Sequence, residues 1–269
     1  MKRILAVFIT IVLILTFASC SYNGAQNDND NVNVQYNNIM NFNADVAFAY
    51  PDDIEKYDKL PLIVWGNGTG CNPKIYVDII NDFVDAGYIV VVNSDCYGED
   101  GVAERKALDV ALDLNNDRAK GSALYGKIDE ERIVACGHSL GGKKSVNLAD
   151  SDSRIKAVAS IAGNSEKSET EKLKVPTLFF GAEDDSVVTV DEYVKPAFEN
   201  CNVPCVYASL KDGGHSAVFT DSGIYSGYII DWFDAFLNDD ENAKNVFAPD
   251  GAFSTDPDWI DFEVKSGND

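Results

Sequence analysis

Gly137-His138-Ser139-Leu140-Gly141 stands between an apolar run, Ile133-Val134-Ala135-Cys136, and a stretch with helical character. A serine on a sharp strand-to-helix turn, with small residues two positions to either side, has its hydroxyl lifted clear of the sheet end, where it can attack a carbonyl. Such a hydroxyl needs a general base, usually an imidazole held by a carboxylate. The chain has only two histidines, His138 and His215. On so tight a turn His138 should point away from the base position. The expected base is therefore His215, in Asp212-Gly213-Gly214-His215-Ser216. The acid should follow a strand between serine and histidine. Val175-Pro176-Thr177-Leu178-Phe179-Phe180-Gly181 reads as that strand, and Glu183, Asp184 and Asp185 follow it. One of these three carboxylates should hold the imidazole, with Asp185 placed ahead of Asp184.

Attack on a carbonyl also requires two N–H groups aimed at the oxygen that becomes negative. The amide of Leu140, at the start of the following helix, is one candidate, because the helix dipole there favours an anion. The second should come from a loop after an early strand, and Gly66-Asn67-Gly68-Thr69-Gly70 directly follows Trp65. Thr69 is the favoured donor and Asn67 the alternative. The loop lacks the Gly-Lys-Ser/Thr ending of a phosphate loop.

The elements that must hold these groups follow from the hydrophobic pattern. Short β-rich runs are expected near 45–50, 61–66, 88–93, 131–136, 156–162, 176–181 and 204–210, and helices near 74–86, 103–118, 140–150, 190–200 and 222–238. Several strands, such as Tyr88-Ile89-Val90-Val91-Val92, are apolar throughout. Strands covered on both faces require this, so the fold class is α/β, with a mostly parallel sheet flanked by helices. The aromatic and aliphatic residues of 226–237 fall at helical spacing and read as core contacts. Only about a dozen residues join the strands ending near Ala162 and starting at Pro176, so no cap domain fits and the cleft should be open.

Lys2 and Arg3 precede an apolar run over 4–17 that ends in Phe17-Ala18-Ser19-Cys20. At about 14 residues the run is short of the roughly 20 that cross a bilayer, which points to an export signal over 1–19. Small residues before a cysteine resemble a bacterial lipobox, which would leave Cys20 as a lipidated N-terminus at the outer face of the cell membrane. Residues 20–43 are Asn-rich with few aliphatic residues and read as a tether with a reach of roughly 25 Å. The catalytic domain is then expected over 44–240 and an acidic C-terminal extension over 241–269. With 22 Lys+Arg against 44 Asp+Glu the net charge is −22. That excludes a reader of nucleic-acid phosphates and makes adsorption to anionic lipid unfavourable, so membrane contact would rest on the lipid at Cys20.

Taken in order and spacing, these segments resemble the α/β-hydrolase superfamily, and within it the lidless cutinase-like branch that includes polyester (PET-type) hydrolases and bacterial lipases. The resemblance covers roughly residues 45 to 240 and rests on five further stretches: Pro61-Leu62-Ile63-Val64-Trp65-Gly66-Asn67-Gly68-Thr69, Tyr125-Gly126-Lys127-Ile128-Asp129, Ser153-Arg154-Ile155-Lys156-Ala157-Val158-Ala159, Glu183-x-Asp185-Ser186 and Gly214-His215-Ser216. It implies a single-domain α/β-hydrolase with Ser139, Asp185 and His215 as triad and Thr69 and Leu140 as oxyanion donors. Two departures bear on substrate. The branch's polyester hydrolases often have Trp before the serine and in the loop after the next strand, where this chain has His138 and Ala162-Gly163-Asn164. The aromatic platform for a terephthalate ring is therefore not evident. Where some members join the acid and histidine loops by a disulfide, this chain has Ala182 and Ala217.

Five cysteines follow Cys20. Export permits disulfides, and Cys71 with Cys96 could tie the oxyanion loop to the next strand end. Cys136 reads as a small buried hydrophobe. Cys201 and Cys205, without a neighbouring histidine, do not form a zinc pattern, and no metal or cofactor is expected. The resulting expectation is an exported, monomeric serine carboxylesterase or lipase acting on bulky or polymeric esters. The alternatives are an acetyl-polysaccharide esterase or peptidase with the same triad, or a surface binding protein on a hydrolase scaffold.

Overall fold

The computed structural model describes residues 34–36 and 45–267. The segment expected to be an export signal and Cys20 lie outside the described residues, as does most of the Asn-rich stretch. Among the described residues nine strands form one sheet: β1 (Val34–Tyr36), β2 (Val46–Ala49), β3 (Leu60–Gly66), β4 (Ile89–Asn93), β5 (Ile128–His138), β6 (Ile155–Ile161), β7 (Thr177–Ala182), β8 (Pro204–Leu210) and β9 (Trp259–Ser266). Their order is β1-β2-β4-β3-β5-β6-β7-β8-β9. The pairings β2–β4 and β8–β9 are antiparallel and the rest parallel.

Successive side chains of the parallel strands enter different layers, as the period of two dictates. Ile63, Trp65, Val90, Val92, Val134 and Cys136 pack with Ile79 and Phe83 of α1 (Val77–Asp85) and with Ile229, Trp232 and Phe233 of α6 (Gly223–Leu237). Leu62, Val64, Ile89, Val91, Ile133 and Ala135 pack with α2 (Val102–Asn116), α3 (Leu140–Ser151) and α5 (Lys195–Glu199). The continuous apolar runs are thus sheet interior on both faces. Of the aromatic residues of 226–237, whose spacing implies core contacts, Trp232 and Phe233 are buried in the core, and Tyr228 and Phe236 pack against it half-buried.

Two expected helices are divided. The stretch 74–86 begins as a 3₁₀ turn, Pro73–Tyr76, capped by Asn72 Oδ1, before α1 starts. The stretch 190–200 opens as a π turn, Val190–Val194, and continues as α5 with Pro196 in its first turn. A proline has no N–H to give to a preceding carbonyl, so the regular ladder restarts there. The span read as an extension continues the domain instead, through α7 (Glu241–Val246), α8 (Ala252–Thr255) and β9 at the sheet edge. Phe253 is fully buried, its ring 5.1 Å from Trp259 and 5.9 Å from Phe180 of β7. A strand is also present at Val34–Tyr36, inside the span read as tether.

Asp240 caps α7, its side chain accepting from the amides of Asn242 and Ala243. Losing such a cap removes about 1 kcal/mol. Asp240→Ala is expected to lower the midpoint of global thermal unfolding by about 2–4 °C. An unchanged midpoint would mean that the segment after 240 unfolds separately from the domain.

Candidate active site

The strand order reverses between β3 and β5: β4 lies on one side of β3 and β5 on the other. In open α/β sheets such a switch point leaves a crevice at the carboxyl ends of the strands. The turn over 66–70 leaves β3 there and Ser139 leaves β5. Ser139 has φ 58° and ψ −125°, a left-handed conformation that a side-chain-bearing residue adopts only when its surroundings enforce it. The enforcement is backbone contact. A Cβ on Gly141 would lie 2.0 Å from the carbonyl oxygen of Gly66, and one on Gly137 would lie 2.4 Å from that of Gly141. Glycine at these positions lets β3, β5 and the first turn of α3 close on one another. The Ser139 amide donates to the carbonyl of Ile161 at 2.8 Å, fixing the turn to β6.

The structure brings Ser139, His215 and Asp185 into one hydrogen-bonded line. His215 Nε2 is 3.0 Å from Ser139 Oγ, and His215 Nδ1 is 2.7 Å from Asp185 Oδ2. Asp185 is buried, and its Oδ1 accepts from the amides of Val187 and Val188, each at 2.8 Å. Burial opposes its charge, but the His215 hydrogen bond and these amides outweigh burial and hold its pKa below the ordinary carboxylate value. The other two carboxylates are exposed. Glu183 Oε2 accepts from the Asp212 amide at 2.9 Å, and the Asp184 amide donates to the Gly213 carbonyl at 2.7 Å, so both hold the histidine loop from outside.

At the turn after β3, Asn67 is buried and its Nδ2 donates to the Asn93 carbonyl at 2.7 Å. The amides of Gly68, Gly70 and Cys71 donate to Tyr76 Oη, the Cys96 carbonyl and the Gly68 carbonyl, each at 3.0 Å. Thr69 is the exposed residue of the turn. The possible Cys71–Cys96 bridge is absent: no disulfide forms among the described cysteines, and Cys71 Sγ is directed to the Thr69 carbonyl at 3.6 Å.

His138 does not point to Ser139, yet it is not remote from His215. Its ring lies 4.7 Å from that of His215 and 5.2 Å from Phe219, and its Nε2 is 2.9 Å from the His215 carbonyl oxygen. Burial, with some contribution from His215, drives its pKa down to about 3. Tyr76, whose Oη is 3.1 Å from His138 Nδ1, carries no sequence signal that would have singled it out.

The sequence model of the PET hydrolase-like family matches residues 84–257, more than half of the chain. The chain belongs to that family. Among curated relatives it is 25 % identical over 174 residues to Cutinase 2 of Thermobifida cellulosilytica, covering 62 % of this chain and 66 % of that one. It is 26 % identical over 186 residues to Lipase 1 of Moraxella sp. (strain TA144), covering 66 % and 56 %. It is 28 % identical over 142 residues to the bis(hydroxyethyl) terephthalate hydrolase of Streptomyces coelicolor, covering 52 % and 44 %. The match therefore spans from under half to about two thirds of these relatives' lengths. The part shared with the PET hydrolase-like family includes Ser139, Asp185 and His215, whereas the turn over 66–70 precedes it.

Proposed function

We propose that this chain hydrolyses carboxylic esters through Ser139, His215 and Asp185. The observation that carries the reading is the unbroken line from Ser139 Oγ through His215 to a buried carboxylate, standing at the switch point of the sheet. The kinship with a cutinase, a lipase and a terephthalate-ester hydrolase supports an ester as substrate.

In this mechanism Ser139 Oγ attacks the ester carbonyl as its proton passes to His215 Nε2. Asp185 fixes the tautomer with hydrogen on Nδ1 and stabilises the imidazolium that forms. The amides of Leu140 and Thr69 receive the oxyanion: Leu140 opens α3, and the other amides of the turn from Gly68 to Cys71 are engaged elsewhere. His215 then protonates the leaving alcohol. Water, activated by the same imidazole, hydrolyses the acyl-enzyme and restores Ser139.

The link from β6 to β7 holds only the single-turn helix α4 (Lys167–Thr170), which supports an uncovered cleft able to meet bulky esters. The sequence pattern over 1–20 supports export, with lipidation at Cys20 holding the enzyme at the membrane. A fluorophosphonate probe tests the central reading, because it marks an activated serine without presuming a substrate. The expected result is one adduct, mapped to Ser139, that is lost in Ser139→Ala together with hydrolysis of p-nitrophenyl butyrate. Absence of an adduct on the wild-type chain would overturn the esterase reading and favour a binding protein on a hydrolase scaffold.

A further inference from the structure

We propose that His138 is a positioning residue that, through Tyr76, couples the turn carrying the oxyanion donor to the backbone of the catalytic base. The inference rests on the esterase reading of Ser139 and His215. Its basis is a directional chain of hydrogen bonds through two buried side chains, Tyr76 and His138. The Gly68 amide can only donate, and it donates to Tyr76 Oη at 3.0 Å. The His215 carbonyl can only accept, and it lies 2.9 Å from His138 Nε2, which must therefore carry the hydrogen. His138 Nδ1 is then bare and accepts the Tyr76 hydroxyl hydrogen at 3.1 Å. One tautomer satisfies each group, running from Gly68 N–H through Tyr76 O–H and His138 Nε2–H to the carbonyl of His215.

The surroundings preserve that arrangement. Tyr76 and His138 are both buried, and the depressed basicity of His138 keeps it in the neutral form the chain requires. Phe219 closes on both rings, 5.2 Å from each. Space is tight at the other end as well: a Cβ on Gly68 would come within 2.9 Å of Tyr76 Oη. Two loops that leave different strands, one after β3 and one after β8, are thereby held at a fixed separation by side chains from the 3₁₀ turn and the end of β5. An oxyanion donor and a base must both meet one tetrahedral centre, so a shift of either by about 1 Å lowers the rate by as much as 10²-fold.

The experiment uses the purified chain with p-nitrophenyl butyrate kinetics, fluorophosphonate labelling rates and thermal midpoints for His138→Leu, His138→Gln, Tyr76→Phe and the double variant His138→Leu/Tyr76→Phe. His138→Leu is expected to lower kcat by about 10- to 100-fold, the range for residues that orient a reacting group, with KM within about twofold. Tyr76→Phe is expected to lose less, and the double variant to lose no more than His138→Leu, since both cuts break one chain. His138→Gln, whose amide can still donate to the His215 carbonyl, should regain most of the lost kcat. If His138→Leu does not fold, Tyr76→Phe and His138→Gln decide the matter alone. Wild-type kcat in folded His138→Leu or Tyr76→Phe, multiplicative losses in the double variant, or Gln rescue of thermal midpoint without rescue of kcat would each overturn the proposal. Failure of the wild-type chain to label at Ser139 would overturn the esterase reading. Labelling of the wild-type and His138→Leu chains at equal rates would overturn this inference alone.

Discussion

Replacing His215 with alanine is expected to lower kcat on a p-nitrophenyl ester by about 10⁴-fold or more, the range seen when a triad base is removed. Far-ultraviolet dichroism and the thermal midpoint should stay near those of the wild type. The reason is geometric: His215 Nε2, at 3.0 Å, is the imidazole nitrogen within reach of Ser139 Oγ, while both nitrogens of His138 are committed to Tyr76 and to the His215 carbonyl. His138→Ala should retain far more activity than His215→Ala, and the reverse ranking would reassign the base. Asp185→Asn belongs to the same prediction. Asp185 accepts at both oxygens, from His215 on one and from two amides on the other. Asparagine can accept at only one. If its oxygen keeps the two amides, its NH₂ faces His215 Nδ1 and forces the hydrogen onto Nε2, where it blocks proton transfer from serine. A loss of about 10⁴-fold is expected, as for the wrong tautomer in other triads. Wild-type kcat in Asp185→Asn would remove the carboxylate from the mechanism.

Legibility from sequence followed the range of the interactions. The elbow at Ser139 is local, a strand, a glycine-flanked serine and a helix within some fifteen residues, and it reads directly. His215 is legible through scarcity, because the chain has only one other histidine. The choice among Glu183, Asp184 and Asp185 is not local. It depends on which side chain turns inward beneath Val187 and Val188, and only packing shows that. Tyr76 is 62 positions from His138, and nothing in its neighbourhood announces a partner so distant. The end of the sheet is a different case. From Asp261 to Lys265, charged residues alternate with Phe262 and Val264, a period-two strand signal that a domain boundary drawn near 240 conceals.

Lys144 is the other group whose role the sequence hides, and removing it should have the largest effect on stability. It lies on the second turn of α3 and has no exposed surface. Its Nζ donates to the Asp95 carbonyl at 2.9 Å and lies 3.4 Å from Oε1 of Glu104, itself buried on α2. Asn93 Nδ2 donates to the same Glu104 oxygen at 3.1 Å, and the Asn93 carbonyl receives Asn67 Nδ2. The cluster thus joins α3, which begins directly after Ser139, to β4, the strand behind the turn over 66–70. Burial raises the Glu104 pKa despite the attraction of Lys144, so the carboxylate depends on that ammonium to remain charged. Lys144→Met leaves a buried carboxylate without its counter-ion, and the expected loss is about 3–5 kcal/mol by urea unfolding at neutral pH. The sign with pH follows from linkage: in the variant the folded state holds the Glu104 proton more tightly than the unfolded state does. The deficit should therefore narrow as the pH falls toward the unfolded carboxylate pKa and widen as it rises. Lys144→Met/Glu104→Gln should recover most of the lost stability, because the neutral amide still accepts from Asn93 and carries no charge to bury. A deficit that is independent of pH, or a double variant no more stable than Lys144→Met, would mean that packing of the lysine stem rather than its charge holds α3 in place.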